Sequence, residues 1–309
     1  MHFSTTTADR SNSPPSFDGG INTPQNSRFS EHRFPLSIDS TTLLGKGCFG
    51  GIYQAYFHIE LNRSIVVKLI ENSSGADFFY AQNREDLEAE NTMLTALQGS
   101  PGIVSINPKL FYKGESYSFL VLDRYECSLD KALPNLDLNK IKSFFYQIVQ
   151  GLTHCHNHNI AHCDIQLSNC LIREDECVLA DFGNASDLEG HLSSGLGGDQ
   201  KYYPRELCTS LELYGEYNQA TREDSSEAPT LLKNLHKQRC SEDIYALSIL
   251  AREMFKGYLI DAKLETLLKE MQSANRFDMN MKDILKIISA LFEKDKPIHF
   301  FRSFSPSKL

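Results

Sequence analysis

His162-Cys163-Asp164-Ile165-Gln166-Leu167-Ser168-Asn169, followed a little later by Asp181-Phe182-Gly183, is the stretch on which the reading of this chain turns. Between the two pieces lie an apolar run, Cys170 to Ile172, a charged turn, Arg173 to Glu176, and a second apolar run, Cys177 to Ala180. Two such runs about a polar turn predict a tight hairpin. A hairpin of this length brings its ends together, so Asp164, Asn169 and Asp181 are expected to face one small space. Three side-chain oxygens there suit a hard cation such as Mg²⁺, which takes oxygen ligands and commonly holds a polyphosphate as well.

Upstream, Leu43-Leu44-Gly45-Lys46-Gly47-Cys48-Phe49-Gly50-Gly51-Ile52-Tyr53-Gln54-Ala55 reads as strand, glycine-rich turn and strand. Glycines let a backbone fold over phosphates with its N–H groups aimed at the oxygens. Dinucleotide-binding turns share G-x-G-x-x-G but open into a helix; here Ile52 follows in strand-like sequence. Ile65 to Ile70 is a further strand with one lysine, Lys68, among apolar neighbours, a costly placement unless something anionic meets it.

Together these pieces resemble the protein kinase family, with its catalytic loop H-R-D-L-x-x-x-N, metal-binding D-F-G, glycine-rich loop and V-A-I-K strand, in the family's order and near its spacing. The resemblance covers about residues 36 to 292 and is stronger in the N-terminal half. It implies an α+β, two-lobed fold over 34–300, with a β-rich small lobe (34–122) and a mainly helical large lobe (126–300) enclosing ATP and Mg²⁺. By resemblance, Lys68 aligns the α- and β-phosphates and pairs with a glutamate on the next helix, expected from about Ala76 to Gln98. Glu88 and Glu90 compete for that place, and Glu90 is favoured because Leu94 and Leu97 then follow at core-facing spacing. Asp164 orients the acceptor hydroxyl and takes its proton, and Asn169 and Asp181 hold the metal. The implied nucleotide site comprises Gly45, Lys46, Gly47, Gly50, Ile52, Val66, Lys68, Leu171, the gatekeeper Leu122, and the backbone of Asp123 and Tyr125.

Two departures carry information. Cys163 stands where the catalytic-loop Arg pairs with a phosphorylated segment in many kinases. Gln166 stands in the place of the Lys that neutralises the γ-phosphate in Ser/Thr kinases. The activity implied is transfer of phosphate from ATP to a protein hydroxyl, serine or threonine. The rival readings are a pseudokinase scaffold and a small-molecule kinase of related fold.

The bulk numbers accommodate this. A chain of 309 residues suits two lobes and a tail. Its net charge of −9 argues against a surface built for nucleic acid or anionic membrane. Eight cysteines without a disulfide-like framework point to a reducing compartment. No apolar run approaches a bilayer span and no secretory signal opens the chain, so a cytoplasmic protein is expected. The C-terminal Ser307-Lys308-Leu309 matches a peroxisomal address and is the alternative location.

Residues 1–33 read as a disordered tail, rich in Ser, Thr, Asn, Pro and Gly, and 301–309 as a C-terminal tail. Ile141, Phe144, Phe145, Ile148, Val149 and Leu152 at helical spacing predict an amphipathic helix over 138–159. It ends in His154, Cys155, His156, His158, His162 and Cys163, for which zinc is an alternative, though the spacing lacks a Cys-x-x-Cys pair. Asp181 to Glu206 resembles an activation segment, with Asp199 replacing the usual Thr and Pro204-Arg205-Glu206 replacing A-P-E; Arg276 is a candidate partner for Glu206. Residues 207–240 read as an inserted, exposed loop. Asp243 to Leu250 is apolar nearly all round, as a buried helix is, and Leu264 to Phe292 reads as two more helices.

Overall fold

The structure, a computed structural model, describes residues 36–47, 50–57, 64–71, 78–114, 117–189, 191–192, 199–204 and 207–293. In chain order the first part comprises β1 (Leu36–Gly47), β2 (Gly50–Phe57), β3 (Ser64–Glu71), α1 (Phe78–Ala96), β4 (Tyr112–Lys113) and β5 (Tyr117–Asp123). The strands form an antiparallel sheet of order β1-β2-β3-β5-β4. The β-branched run Ile65-Val66-Val67 suits a pleated strand, and its period of two sorts the side chains. Ile65 and Val67 pack with Leu36, Ala55, Phe119 and Val121 on one face. Val66, Lys68 and Ile70 face the other way, toward α1 and the main core. Ile52 lies opposite Lys68, and Leu122 opposite Val66, so all four share that face.

The remainder is mainly helical: β6 (Cys127–Ser128), α2 (Leu129–Ala132), α3 (Leu138–Asn157), β7 (Ile160–Ala161), β8 (Cys170–Arg173), β9 (Glu176–Leu179), β10 (Ser186–Asp187), α4 (Leu207–Arg222), α5 (Ala228–Met254), α6 (Ala262–Gln272) and α7 (Met281–Glu293). The Asp137 carboxylate starts α3 by accepting the Lys140 N–H at 2.8 Å. The expected apolar stripe from Ile141 to Leu152 is buried. Gly102, at φ +76°, brings its carbonyl to 2.3 Å from where a Cβ on Gly151 would stand, so this loop lies on α3 only with glycine at both places. The loop is then tied to the end of β9, Val104 N–H donating to the Leu179 carbonyl (2.9 Å) and Leu179 N–H to that of Gly102 (2.8 Å). This seats the β8–β9 hairpin against α3.

One expectation is overturned. Residues 207–240, read as an exposed loop, are α4, a turn, and the first half of α5, which continues unbroken through the buried segment from Asp243. Pro229 falls in the first turn of α5, where its missing N–H has no helical partner to lose. Leu235 is fully buried, and so, nearly, are Gln238, Arg239 and Glu242. Gln238 Nε2 donates to Glu242 Oε1 at 3.0 Å, and the Arg239 guanidinium lies 5.6 Å from the Tyr214 ring centre. The 1–33 and 301–309 tails, Cys48, Phe49, Arg205 and Glu206 lie outside the described residues, as does any Glu206–Arg276 pair. No helix among the described residues is long and apolar enough to cross a membrane.

Candidate active site

Lys68 is delivered by β3 and is almost wholly buried, at 3 % exposure. Its ammonium donates to Glu90 Oε2 and to Asp181 Oδ1, each at 2.7 Å. The competing Glu88 turns away to pair with Lys113. Burial alone pulls the Lys68 pKa down, but the Asp181 and Glu90 carboxylates outweigh it and hold it above the ordinary lysine value. Lys68 in turn holds Asp181 below the usual aspartate range. The second oxygen of Glu90 accepts the Phe182 N–H at 3.2 Å, so one glutamate fixes both the lysine and the backbone after Asp181.

The loop opposite is shaped from below. β7 and β10 pair antiparallel, Ala161 against Ser186, which draws together the two ends of the segment holding Asp164 and Asp181. Asp243, on α5, accepts the N–H of His162 (2.8 Å) and of Cys163 (2.8 Å) and meets His156 Nε2 at 3.0 Å. That carboxylate stabilises a bend in which Cys163 takes a left-handed φ of +61°, a conformation a non-glycine residue adopts at a cost. Asp181 is left-handed too, at φ +64°. His162 meets the Phe182 ring at a tilt, centres 4.6 Å apart, accepts the Asp164 N–H at Nδ1 (3.3 Å) and directs Nε2 to the Ala180 carbonyl (3.2 Å).

Asp164 is therefore presented by a braced loop, and three amides converge on it. Gln166 Nε2 donates to Oδ1 at 2.7 Å, and Asn169 Nδ2 to Oδ2 at 2.9 Å. Asn184 Nδ2 reaches Oδ2 at 3.4 Å. Burial pushes this carboxyl above the ordinary aspartate value, against the pull of His162 and of the amide donors. Asn169 also donates to the Asp164 carbonyl (3.0 Å), so its amide nitrogen is engaged and its oxygen is the ligating atom it can offer. Asp181 and Asn169 are thus an all-oxygen donor set of the kind Mg²⁺ takes.

Val66, Leu122, Ile52 and Leu171 belong to or pack against one core cluster. Arg124 and Glu126 give their N–H groups to Ser64 and Ile172, and Asp123 gives its own to Ser105. The Arg173 guanidinium lies 4.7 Å from the Tyr125 ring centre. Gly45, Lys46, Gly47 and Gly50 lie where β1 meets β2, Gly47 opposite Gly50. The His and Cys residues near the end of α3 do not gather as a metal site: His156 goes to Asp243, His158 Nδ1 to the His154 carbonyl (2.9 Å), and Cys155 is buried.

Sequence reasoning missed Asn184 and the Glu90–Phe182 contact. It also missed Glu253, which accepts from Tyr202, whose hydroxyl in turn accepts the Leu167 N–H at 3.4 Å. A glutamate ten residues beyond Asp243, just past the apolar run Ile244 to Ala251, was the available signal.

A model of the protein kinase domain matches residues 38–307. Among curated proteins, the putative serine/threonine-protein kinase L673 of Acanthamoeba polyphaga mimivirus is 28% identical over 175 residues, covering 56% of this chain and 29% of that protein. Serine/threonine-protein kinase pakG of Dictyostelium discoideum is 28% identical over 225 residues, 70% of this chain and 16% of its own. The probable serine/threonine-protein kinase glkA of the same organism is 30% identical over 178 residues, 55% of this chain and 35% of its own. The chain spans about a third or less of the length of these relatives.

Proposed function

The chain belongs to the protein kinase domain family, and on that premise we propose that it transfers the γ-phosphate of ATP to a protein hydroxyl, serine or threonine. The observation that carries the reading is Lys68 bridging Glu90 and Asp181, with the triply hydrogen-bonded Asp164 beside them. Phosphoryl transfer passes through a loose transition state, so a protein contributes mainly positioning and charge. Lys68, kept charged, sets the α- and β-phosphates. Asp181 and Asn169 hold Mg²⁺, which when bound neutralises charge on the phosphate oxygens. Asp164 orients the acceptor hydroxyl and takes its proton, and its surrounding amides fix the direction of its free lone pairs. Gly45, Gly47 and Gly50 cover the phosphates, and Val66, Leu122 and Leu171 enclose the base. The relatives' description as serine/threonine kinases supports the choice of acceptor.

A second reading, a nucleotide-binding scaffold without turnover, is favoured by one contact. Gln166 bonds Asp164 where a cation is expected, and it brings no charge to the phosphate. Incubation with γ-labelled ATP and Mg²⁺, beside an Asp181→Ala control, decides between them. Label on the protein itself or on a generic acceptor, absent from the control, supports the kinase. Nucleotide binding with no label from either sample supports the scaffold.

A further inference from the structure

Beside Asp164 lies a cavity lined in part by Cys163, Asp199, Tyr202 and Tyr203. Just outside that lining Lys201 stands between two carboxylates, its ammonium 3.2 Å from Oδ2 of the lining Asp199 and 2.9 Å from Glu253 Oε1, with the Tyr202 ring centre 4.8 Å away. Glu253 is not loosely placed. Its other oxygen accepts the Tyr202 hydroxyl, and that hydroxyl accepts the N–H of Leu167, three residues after Asp164. Two hydrogen bonds therefore link this carboxylate to the catalytic loop. The side chains of Lys201 and Asp199 are each 48% exposed and that of Glu253 31%, so the group faces solvent.

Two partly exposed carboxylates, Asp199 at the cavity beside Asp164 and Glu253 behind it, form a subsite that attracts the cationic side chain of an incoming peptide. Lys201 already supplies that cation from within the chain. We propose that Lys201 is a specificity-determining residue, a tethered ammonium that fills an acidic subsite and so directs the enzyme to acceptors without a basic residue beside the hydroxyl. The proposal rests on the protein kinase reading above. The charge states agree with it: the backbone N–H and the ammonium of Lys201 hold the Asp199 carboxyl below its usual range, and Glu253 holds the lysine above its own. A purely structural role is the weaker account, since half-exposed ion pairs add little to stability.

The test uses the full chain and two fluorescent serine peptides that differ only in carrying Arg or Leu on both sides of the serine. Affinities are read by anisotropy and phosphate transfer is read in parallel. In the wild type the affinity ratio, Arg peptide over Leu peptide, is expected near one. In Lys201→Ala it should rise about tenfold, the combined worth of two partly screened charge pairs. Adding Glu253→Gln, which keeps an acceptor for Tyr202, should return the ratio toward one. The same ratio in wild type and Lys201→Ala overturns the proposal whether or not label is transferred. A shifted ratio with no transfer to either peptide leaves the acidic subsite standing and removes the kinase reading instead.

Discussion

At the scale of single residues, Gln166 is the sharpest departure in the site. An ammonium there would meet the γ-phosphate as charge develops, in a cleft where such contacts exceed their worth in water. Its amide instead donates to Asp164, and Lys201 is engaged by Asp199 and Glu253. Steady-state kinetics of Gln166→Lys should show kcat raised about tenfold, equivalent to ~1.4 kcal/mol, with little change in KM for ATP; an unchanged or lower kcat in folded protein contradicts this. Asp164 makes a second prediction. It accepts a proton only when ionised, and burial raises its pKa, so kcat should fall on the acid side at a pH above the ordinary aspartate range. Asn184→Ala removes a donor that favours the charged form, so the acid limb should move to still higher pH; a limb that stays put or moves down contradicts the assignment. The pairing of Lys68 with Glu90 and the nearness of Asn169 to Asp164 were legible from motif order and resemblance. The contacts of Asn184 and of Phe182 N–H were not, since they depend on the left-handed turns at Cys163 and Asp181.

At the scale of elements, the helix read from apolar periodicity over 138–159 is Leu138–Asn157, and the helix expected by resemblance over about 76–98 is Phe78–Ala96. The first half of α5 escaped because it buries Gln238, Arg239, Ser241 and Glu242 on the face where apolar residues would have marked it. Pro229 stands in the first turn of α5, where it interrupts no helical hydrogen bond. Leu235→Ala should therefore cost about 3 kcal/mol in urea unfolding, as a fully buried leucine does, while Leu211→Ala, 37% exposed, should change stability little. Equal, negligible effects would restore the loop. The activation segment yields a further expectation. Cys163 supplies no cation for a phosphate, its thiol being pushed up to about 12 by burial and so uncharged. Tyr202 is buried with its hydroxyl on Glu253. Phosphatase-treated protein should keep its rate; loss of most activity, restored by rephosphorylation, would show that another cation does the work.

At the scale of the molecule, one hydrophobic core runs from Val66 and Leu122 in the sheet through α1 and α3 to α5 and α7. Charge is concentrated where that core opens, around Lys68, Glu90, Asp164 and Asp181. The two-lobed α+β plan was legible because strand-type patterning gives way to helix-type patterning after Asp123. How the parts meet was not, since it turns on the close approach of Gly102 to Gly151 and on Asp243 reaching the catalytic loop from 80 residues away. Two aspartates in one cleft have separate proposed duties, Asp181 holding metal and nucleotide and Asp164 taking the acceptor's proton. The most direct test measures Mg·ATP affinity and phosphate transfer in wild type, Asp164→Asn and Asp181→Ala. Transfer should fall by a factor of about 10² or more in both variants, with Mg·ATP affinity retained in Asp164→Asn and lost in Asp181→Ala; transfer equal to wild type in both variants would contradict the account.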